Sequence, residues 1–341
     1  MSTVYVGGSS STLSIFSFDP ASGVLALTGT ADGGRNPTYL AWDPSKRFLY
    51  AGNGGQGRAT AFAIDPATGA LTRLGDAATA GEGYSAEVTH LSVHPTGKWL
   101  LVDHFDSGHV AVLPIAADGT LGSPVDIQRP APEAHQIVAD ATGVHVFVPC
   151  RSGNVVAQYA FDVRTGKLAA ARPPAVPAAP GAGPRHIAFH PNNKYAYVIN
   201  ELDGTMTSFR YDGTSGLLSE LEVLSTVPAG VKETAAAHVV VHPSGRFVYG
   251  SNRTHGSLVM FLVNPASGRL SLRGHETGGG LIETPRDFGV DPSGQYLIVA
   301  NQASSTLLVF RIDGTSGTLT RVGAPVSVPD GPQFVGILTL P

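Results

Sequence analysis

Short runs in which apolar residues alternate with small or polar ones recur along the whole chain, and turn signals separate them. In TAFAIDPATGALTRL and TSFRYDGTSGLLSEL, two such runs flank a D-x-x-x-G segment. A period of two is typical of a β-strand with one buried face, and glycine permits the positive φ that a tight turn needs. The pattern therefore predicts an all-β chain of antiparallel strands joined by short turns.

A longer repeat of about fifty residues contains these runs. Five segments read as strand, Pro-polar-Gly-like turn and strand: TYLAWDPSKRFLYAGN, THLSVHPTGKWLLVD, RHIAFHPNNKYAYVIN, AHVVVHPSGRFVYGSN and RDFGVDPSGQYLIVAN. A degenerate sixth copy, HQIVADATGVHVFVPC, has Ala141 in place of the turn proline. Because an alternating pair of strands follows each copy, each repeat predicts a four-stranded antiparallel meander of the kind that forms a propeller blade.

The two ends of the chain complement each other. VYVGG and STLSIFSFDPASGVLALTG begin the chain at the second strand of a blade, and the C-terminal GPQFVGILTL supplies a first strand. Pairing them would bury the edges that an open array of repeats exposes. The sequence thus predicts a seven-bladed β-propeller of four-stranded antiparallel blades, closed by strands from both termini, as a single domain over residues 1–341.

Composition and charge narrow the choice of partners. Hydrophobic residues make up 42% of the chain and charged residues 14%, which excludes disorder by composition. The net charge is −4 and no lysine or arginine run occurs, so we expect neither a nucleic-acid nor a membrane partner. No signal-peptide or transmembrane pattern precedes VYVGG, from which we expect a cytoplasmic protein. The Pro/Ala-rich segment from Pro173 to Gly183 is interpreted as a loop between blades.

Polar or aromatic groups recur near the start of the first strand of each blade, the strand that lines the channel of a propeller. The aligned positions, which we expect to form a ring on the channel axis, are Tyr39, His90, His135, His186, His238, Asp287 and Gln333. One residue earlier, cations stand only at Arg185 and Arg286, where other blades have Thr, Ala or Pro. Two cations at one mouth favour a local anion clamp.

A second set of charged groups follows the second strand of the blades, at Arg151, Glu201 and Arg253. Antiparallel pairing places this point beside the start of the first strand, at the same channel mouth. Charges there need a partner or a ligand, and either an ion pair of Glu201 with an arginine or a bound substrate would meet that need. No histidine or cysteine pair has the spacing of a compact ligand set, so no metal is predicted.

Three further histidines precede turn prolines at the far end of the first strand. His94, His190 and His242 stand where other blades have aspartate. Aspartate and histidine side chains can both accept hydrogen bonds from a turn backbone. We therefore interpret these histidines as turn caps.

Four stretches resemble the bacterial β-propeller lactonase family, which includes the propeller-type 6-phosphogluconolactonases and the fungal 3-carboxy-cis,cis-muconate lactonizing enzymes. They are EAHQIVAD with VPCRSGN, GPRHIAFHPNNKYAYVINE, AAHVVVHPSGRFVYGSNR and TPRDFGVDPSGQYLIVANQ, and the resemblance covers the whole chain. It implies a catalytic set of His135, Arg185, Glu201 and Arg253. The other polar groups of the mouth are predicted to bind substrate: His90, His186, His238, Arg286, Asp287 and Arg151. The sequence departs from the family at Glu133, where a second histidine is usual, and at VPCRSG, where VPDLG is usual.

The resemblance implies an enzyme that opens a phosphorylated or carboxylated sugar lactone without a cofactor, with 6-phosphogluconolactone as the leading candidate. Glu201 would orient or deprotonate a water, and His135 would protonate the departing alkoxide. Arg185 and Arg253 would stabilise the oxyanion and bind the substrate's anionic group.

Two alternatives stay open. The same residues would serve a cycloisomerase that closes a muconate-type dicarboxylate, and a propeller can also be a non-catalytic platform for another protein. The partner expected is therefore a small anionic lactone or dicarboxylate, and the sequence predicts no oligomeric state.

Overall fold

The structure is a computed structural model that describes residues 2–81, 87–329 and 331–340. Those residues form seven four-stranded antiparallel sheets, and none of them lies in a helix. The described part of the chain accordingly has no helix that could cross a bilayer. The predicted all-β fold of seven four-stranded blades is confirmed.

The blades are numbered in chain order. Blade 1 begins with β1 (Ser2–Gly8), β2 (Thr12–Asp19) and β3 (Val24–Asp32). Blade 2 contains β4 (Pro37–Trp42), β5 (Phe48–Asn53), β6 (Arg58–Ile64) and β7 (Leu71–Ala78), and blade 3 contains β8 (Leu91–Val93), β9 (Trp99–His104), β10 (His109–Pro114) and β11 (Asp126–Gln128). Blade 4 contains β12 (Val138–Ala139), β13 (His145–Cys150), β14 (Val155–Asp162) and β15 (Lys167–Pro177), and blade 5 contains β16 (Pro184–Phe189), β17 (Tyr195–Asn200), β18 (Thr205–Asp212) and β19 (Leu217–Ser225). Blade 6 contains β20 (Ala236–Val241), β21 (Phe247–Asn252), β22 (Ser257–Val263) and β23 (Leu270–Glu276), and blade 7 contains β24 (Pro285–Val290), β25 (Tyr296–Asn301), β26 (Thr306–Ile312) and β27 (Leu319–Ser327).

Blade 1 is completed by the last strand of the chain, β28 (Pro332–Thr339). β28 pairs with β1 in antiparallel register, with Tyr5 opposite Gly336, and the sheet continues to β2 and β3. On its other side β28 contacts β24 and β4, the innermost strands of the two neighbouring blades. The ring is therefore closed by strands from both termini, as the sequence predicts.

The hydrophobic core lies between neighbouring blades. The second strand of every blade is buried along its whole length, whereas most positions of the outermost strands are exposed or half-buried. Between blades 1 and 7, for example, Phe16 and Phe18 pack against Tyr296 and Ile298. A strand packed on both faces needs apolar residues at consecutive positions, which explains the continuous apolar runs of the second strands.

Side chains at the turns connect each blade to the next. Tyr197 of blade 5 donates its hydroxyl to the carbonyl of Gly268 in the β22–β23 turn, at 3.0 Å. Gly268 has a φ of 72°, and a Cβ at that position would overlap the ring of Tyr195. The same bond recurs from Tyr5, Tyr50 and Tyr249 to turn glycines of the following blade. The turn glycine between the third and fourth strands therefore supports packing between blades as well as reversing the chain.

The turn-capping interpretation of His94, His190 and His242 is confirmed. His190 Nδ1 accepts the N–H of Asn192 at 3.1 Å, and Nε2 faces the carbonyl of Gly245 in the next blade at 2.8 Å. His94 and His242 make the equivalent pair of contacts. Because Nδ1 accepts, Nε2 carries the proton and donates to the carbonyl.

The interpretation of the Pro/Ala-rich segment as a loop was wrong for its first half. β15 continues to Pro177 and pairs with β14 across a bulge between Ala157 and Tyr159. β15 is the outermost strand of blade 4, so its prolines can face away from the sheet without breaking a ladder of hydrogen bonds.

Candidate active site

A β-bulge at the start of the first strand directs consecutive side chains into the channel mouth. β16 skips Arg185 in its pairing with β17, and β24 skips Arg286 in its pairing with β25. Arg185 and His186 are consequently both buried, with exposed fractions of 2% and 3%. Strict alternation would have sent them to opposite faces of the blade, so the bulge is the local feature that brings both inward.

The residue that follows each second strand is held at the same mouth by a backbone hydrogen bond. The N–H groups of Arg151, Glu201 and Arg253 donate to carbonyls just before the first strand of their own blades, at 2.8, 2.8 and 3.0 Å. The expectation that both sets of charged residues share one channel mouth is confirmed by these contacts.

Glu201 is shared by three guanidinium groups. Its Oε1 lies 2.6 Å from Arg151 Nη1 and 3.0 Å from Arg253 Nη2, and its Oε2 lies 2.9 Å from Arg185 Nε. Arg151 also contacts Glu133 Oε2 at 2.8 Å, so this arginine bridges two carboxylates. One buried carboxylate thus orients three cations from three successive blades.

The electrostatics of the cluster favour an anionic ligand. Burial alone would raise the pKa of Glu201, but Arg185, Arg253 and Arg151 together hold it below its ordinary value. Burial lowers the pKa of Arg185 to about 9, and repulsion from Arg253 and Arg286 acts in the same direction. Glu201 is therefore a carboxylate and the guanidiniums remain charged near neutral pH, which leaves an excess of positive charge.

His135 lies beside this cluster as a neutral imidazole. Its exposed fraction is 5%, and its Nδ1 is buried with no hydrogen-bond partner among the residues that the structure describes. Burial, followed by repulsion from Arg185 and Arg286, lowers the pKa of His135 well below its ordinary value. The ring of Phe105 meets it edge-on, with the centroids 5.4 Å apart. A neutral imidazole in this position can accept a proton.

These groups line a cavity of about 190 Å³. Its lining residues are Glu87, Thr89, Phe105, His135, Arg151, Glu201, Arg253 and Arg286. A second cavity of about 20 Å³ shares Glu87, Thr89 and Arg286 with it and reaches Arg185, His186 and Asp287. A larger cavity of about 730 Å³ lies between blades 1 and 2, but none of its lining residues is ionisable. A further cavity of about 390 Å³ between blades 2 and 3 has three ionisable residues in its lining, Asp43, Arg47 and Lys98. The channel mouth brings together six, from blades 3 to 7, and is therefore the better candidate for an active site.

A connected row of side chains lies beneath the mouth. Arg185 Nη1 is 3.4 Å from His186 Nε2, His186 Nδ1 is 2.7 Å from His238 Nδ1, and His238 Nε2 is 3.3 Å from Asp287 Oδ1. A guanidinium can only donate, so we assign the Nδ1–H tautomer to His186 and the Nε2–H tautomer to His238. The row thus leads from Arg185 towards the carboxyl of Asp287, whose Oδ1 lies near His238 without a hydrogen bond from any described residue and whose Oδ2 accepts the N–H of Val335 at 3.0 Å.

The imidazoles of this row are neutral, although His238 and Asp287 lie within ion-pair distance. Burial lowers the pKa of His238 to about 3 and raises the pKa of Asp287 to about 7. The contact therefore joins a neutral imidazole to a carboxyl group that titrates near neutral pH. His90 belongs to the same buried layer, with its ring centroid 4.1 Å from that of Tyr39.

The structure brings together some of the predicted site residues and separates others from the cavity. The mouth cavity of about 190 Å³ is lined by His135, Arg151, Glu201, Arg253 and Arg286. Arg185, His186 and Asp287 line the smaller one. His90 and His238 line neither of these two cavities and lie in the channel below.

The alignment of the predicted ring was wrong at two positions. Gln136, not His135, takes the place of His186, because Ala134 pairs with Cys150 as Pro184 pairs with Asn200. His135 therefore aligns with Arg185, at the level of the arginines. Gln333 is likewise skipped in the pairing of β28 with β1, as the two arginines are skipped in theirs.

Sequence reasoning also missed part of the cavity wall. Phe105 aligns with Arg151, since its N–H donates to the carbonyl of Glu87 at 3.0 Å. Counting ten residues from Pro95, as for the other turn prolines, would have found Phe105. Glu87 and Thr89 precede the first strand of blade 3, and no repeat pattern marks Glu87 as a site residue.

Fold and site together define a seven-bladed propeller with a buried, arginine-rich mouth and a neutral histidine beside it. Within the described residues, no group of three His, Cys, Asp or Glu side chains is placed to hold a metal ion. A family model described as Lactonase, 7-bladed beta-propeller, matches residues 2–335. The chain belongs to this family of lactonase propellers.

Individual relatives agree with the family assignment. The chain is 36% identical over 275 residues to a 6-phosphogluconolactonase of Pectobacterium carotovorum, covering 80% of this chain and 79% of the relative. It is 33% identical over 300 residues to the 6-phosphogluconolactonase of Bacillus subtilis, covering 84% and 83%. A solved structure of a periplasmic gluconolactonase from Pseudomonas aeruginosa aligns with a TM-score of 0.90 at 30% identity, covering 100% of this chain and 99% of that one. The resemblance seen in the sequence is confirmed.

Proposed function

We propose that this protein hydrolyses an anionic sugar lactone at the channel mouth, with 6-phosphogluconolactone as the first candidate. The observation that carries the proposal is the convergence of three guanidiniums on Glu201 beside the neutral His135. Membership of the lactonase family and the names of the relatives support the reaction and the substrate class.

Arg253 and Arg185 act on the charge that develops during ring opening. When water attacks the lactone carbonyl, negative charge forms on the carbonyl oxygen, and guanidiniums already oriented by Glu201 stabilise it without reorganising. Arg253 lines the mouth cavity of about 190 Å³, whereas Arg185 lies deeper, and its Nη1 donates to the carbonyl of Ala237 at 2.5 Å. Arg253 is therefore the arginine of this pair that faces the reacting oxygen.

His135 transfers the proton. As a neutral imidazole it accepts a proton from the attacking water, and it then delivers that proton to the ring oxygen when the carbon–oxygen bond breaks. The nearby arginines depress its pKa in the free protein. A bound anion offsets that positive charge, so substrate binding should raise the pKa of His135 towards the value that a general base needs.

Glu201 serves this reaction by orienting the arginines. Both carboxylate oxygens of Glu201 already contact guanidiniums, whereas Nδ1 of His135 has no hydrogen-bond partner among the described residues. The proposal therefore assigns the proton transfer to His135 alone and replaces the role of Glu201 as base that the sequence suggested.

The test is turnover of freshly prepared 6-phosphogluconolactone, with the spontaneous rate subtracted. His135→Asn should lower kcat by about 10²–10⁴-fold, the contribution of a positioned acid–base group. Arg253→Gln should also lower kcat, whereas Arg321→Gln, at an exposed position of β27, should match the wild type. Rates of both site variants equal to the wild type would remove the assigned roles.

A second substrate distinguishes the alternatives. Turnover of 3-carboxy-cis,cis-muconate in place of the lactone would move the protein to the cycloisomerase branch. No turnover of either compound would favour a binding function for the mouth. The cytoplasmic location and the single domain over residues 1–341 remain part of the proposal, and one of the similar solved structures is of a periplasmic protein.

A further inference from the structure

We propose that Arg286 forms a separate anion subsite that binds the phosphate group of the substrate, at a distance from the reacting carbonyl. This inference rests on the proposed function and specifies which part of the mouth selects a phosphorylated lactone over a neutral one.

Arg286 differs from the other arginines of the mouth in its partners. Arg151, Arg185 and Arg253 each lie within 3.0 Å of Glu201. Within the described ranges of the chain, the guanidinium of Arg286 has no carboxylate at ion-pair distance. Arg286 is half-buried, and the carboxylates of Glu201, Glu87 and Asp287 act on it only from beyond ion-pair distance. A partly buried cation that no carboxylate contacts is poorly compensated, and binding of an anion relieves that cost.

The position of Arg286 fits an anchor at one end of a bound molecule. It lines both cavities of the mouth, those of about 190 Å³ and about 20 Å³, together with Glu87 and Thr89. Arg286 belongs to blade 7, whereas His135 belongs to blade 4. A ligand whose carbonyl lies beside His135 can therefore extend its far end across the channel mouth to Arg286.

Arg286 lies at a bulge of the same kind as the bulge at Arg185, but in a different blade. Both residues are skipped in the pairing of a first strand with a second strand, and a proline stands directly before each. The bulge therefore fixes where the side chain of Arg286 leaves the backbone, at the level of the channel mouth.

The net positive charge of the mouth favours a phosphate monoester over a neutral ligand. The mouth contains four arginines and three glutamates, Glu87, Glu133 and Glu201, which leaves an excess of one positive charge when all three glutamates are ionised. Burial and the neighbouring Asp106 raise the pKa of Glu87, whereas Arg286 acts in the opposite direction. A phosphate monoester carries about −1.5 to −2 at pH 7, whereas a neutral sugar lactone offers nothing to balance this excess.

The test compares two lactones that differ in the phosphate group. KM and kcat are measured for 6-phosphogluconolactone and for D-glucono-δ-lactone with the wild type, Arg286→Gln, Arg286→Lys and the surface control Arg321→Gln. Loss of a charged hydrogen bond should raise KM for the phosphorylated lactone roughly tenfold to a hundredfold in Arg286→Gln. The loss of kcat/KM should be at least about tenfold smaller for the neutral lactone. Arg286→Lys should recover part of the discrimination because it restores the charge.

Equal losses for both lactones, or no loss for the phosphorylated one, would overturn the subsite. A readout without turnover separates this result from failure of the proposed function. Inorganic phosphate should raise the melting temperature of the wild type more than that of Arg286→Gln. If the phosphate effect appears but neither lactone is hydrolysed, the subsite stands and the lactonase proposal falls. If hydrolysis occurs and phosphate stabilises both proteins equally, the subsite falls alone.

Discussion

Replacing Glu201 by glutamine tests whether this carboxylate holds the mouth together. The substitution keeps the shape of the side chain but removes the charge shared by Arg151, Arg185 and Arg253. Arg185 is 2% exposed and would keep its charge in a buried place without its carboxylate partner. We therefore expect the variant to fold with lower stability and a mouth whose arginines repel one another.

The size of the effect follows from the burial of the pair. Removing one partner of a buried ion pair costs about 3–5 kcal/mol. Unfolding entropy is about 2.1 cal/mol/K per residue, or about 0.7 kcal/mol/K for a chain of this length. The melting temperature should therefore fall by roughly 4–7 °C.

Thermal unfolding followed by circular dichroism at pH 7 measures this shift. The matched control is Asp76→Asn, which breaks the contact of Asp76 with Arg73 at 2.6 Å on a strand edge, where the two side chains are 25% and 40% exposed. An exposed pair contributes about 0–1 kcal/mol, so the control should change the melting temperature by no more than about 1–2 °C.

The dependence on pH gives a second check. The folded-state pKa of Glu201 lies below its ordinary value of 4.5, so its stabilising effect is complete above that value and is lost as pH falls through the folded pKa. The difference in stability between wild type and Glu201→Gln should thus stay constant from pH 8 to about 5 and shrink below about 4.5. A variant that melts within about 1 °C of the wild type at pH 7 would refute the role assigned to Glu201.

Two further predictions concern His190, which caps a turn at the far end of β16, and Asp287, which is buried below the channel mouth. His190→Ala removes the contacts to Asn192 and Gly245, so urea unfolding should show a loss of about 1–3 kcal/mol with kcat/KM unchanged, and a selective fall in kcat/KM would contradict the turn-capping role. Asp287→Asn should have the opposite pH dependence to Glu201→Gln. Because burial raises the pKa of Asp287 from 3.8 to about 7, wild-type stability from this group is complete below about pH 4 and is lost as pH rises through 7. Chemical unfolding between pH 4 and 8 should therefore show the asparagine variant gaining on the wild type as pH rises, and a gap that does not vary with pH would exclude a raised pKa.

The blade architecture could be predicted from the sequence because its determinants are local. Strand alternation, turn prolines and turn glycines act over a few residues and repeat with the blade, so each copy supports the others. The closure by β28 also followed from the sequence, since unpaired strand edges need partners and only the two ends of the chain supplied incomplete blades.

The charged columns of the mouth were likewise visible in the sequence, because Arg185, Glu201 and Arg253 depart from what the other blades have at those positions. Antiparallel pairing was enough to place them at one mouth. The residue types therefore indicated an anion site before any distance was known.

Only the tertiary structure decided which of these groups contact one another. The bulges at Arg185 and Arg286 depend on backbone pairing that residue alternation does not reveal. The offset of His135 from the ring, by contrast, can be read from the sequence, because the residue five positions before Ala141 is Gln136. Which arginines share Glu201, and which one lacks a carboxylate, depends on distances across the closed ring. Those distances depend on how the blades pack around the channel, and two of the three arginines that contact Glu201, Arg151 and Arg253, lie about fifty positions away from it in the chain.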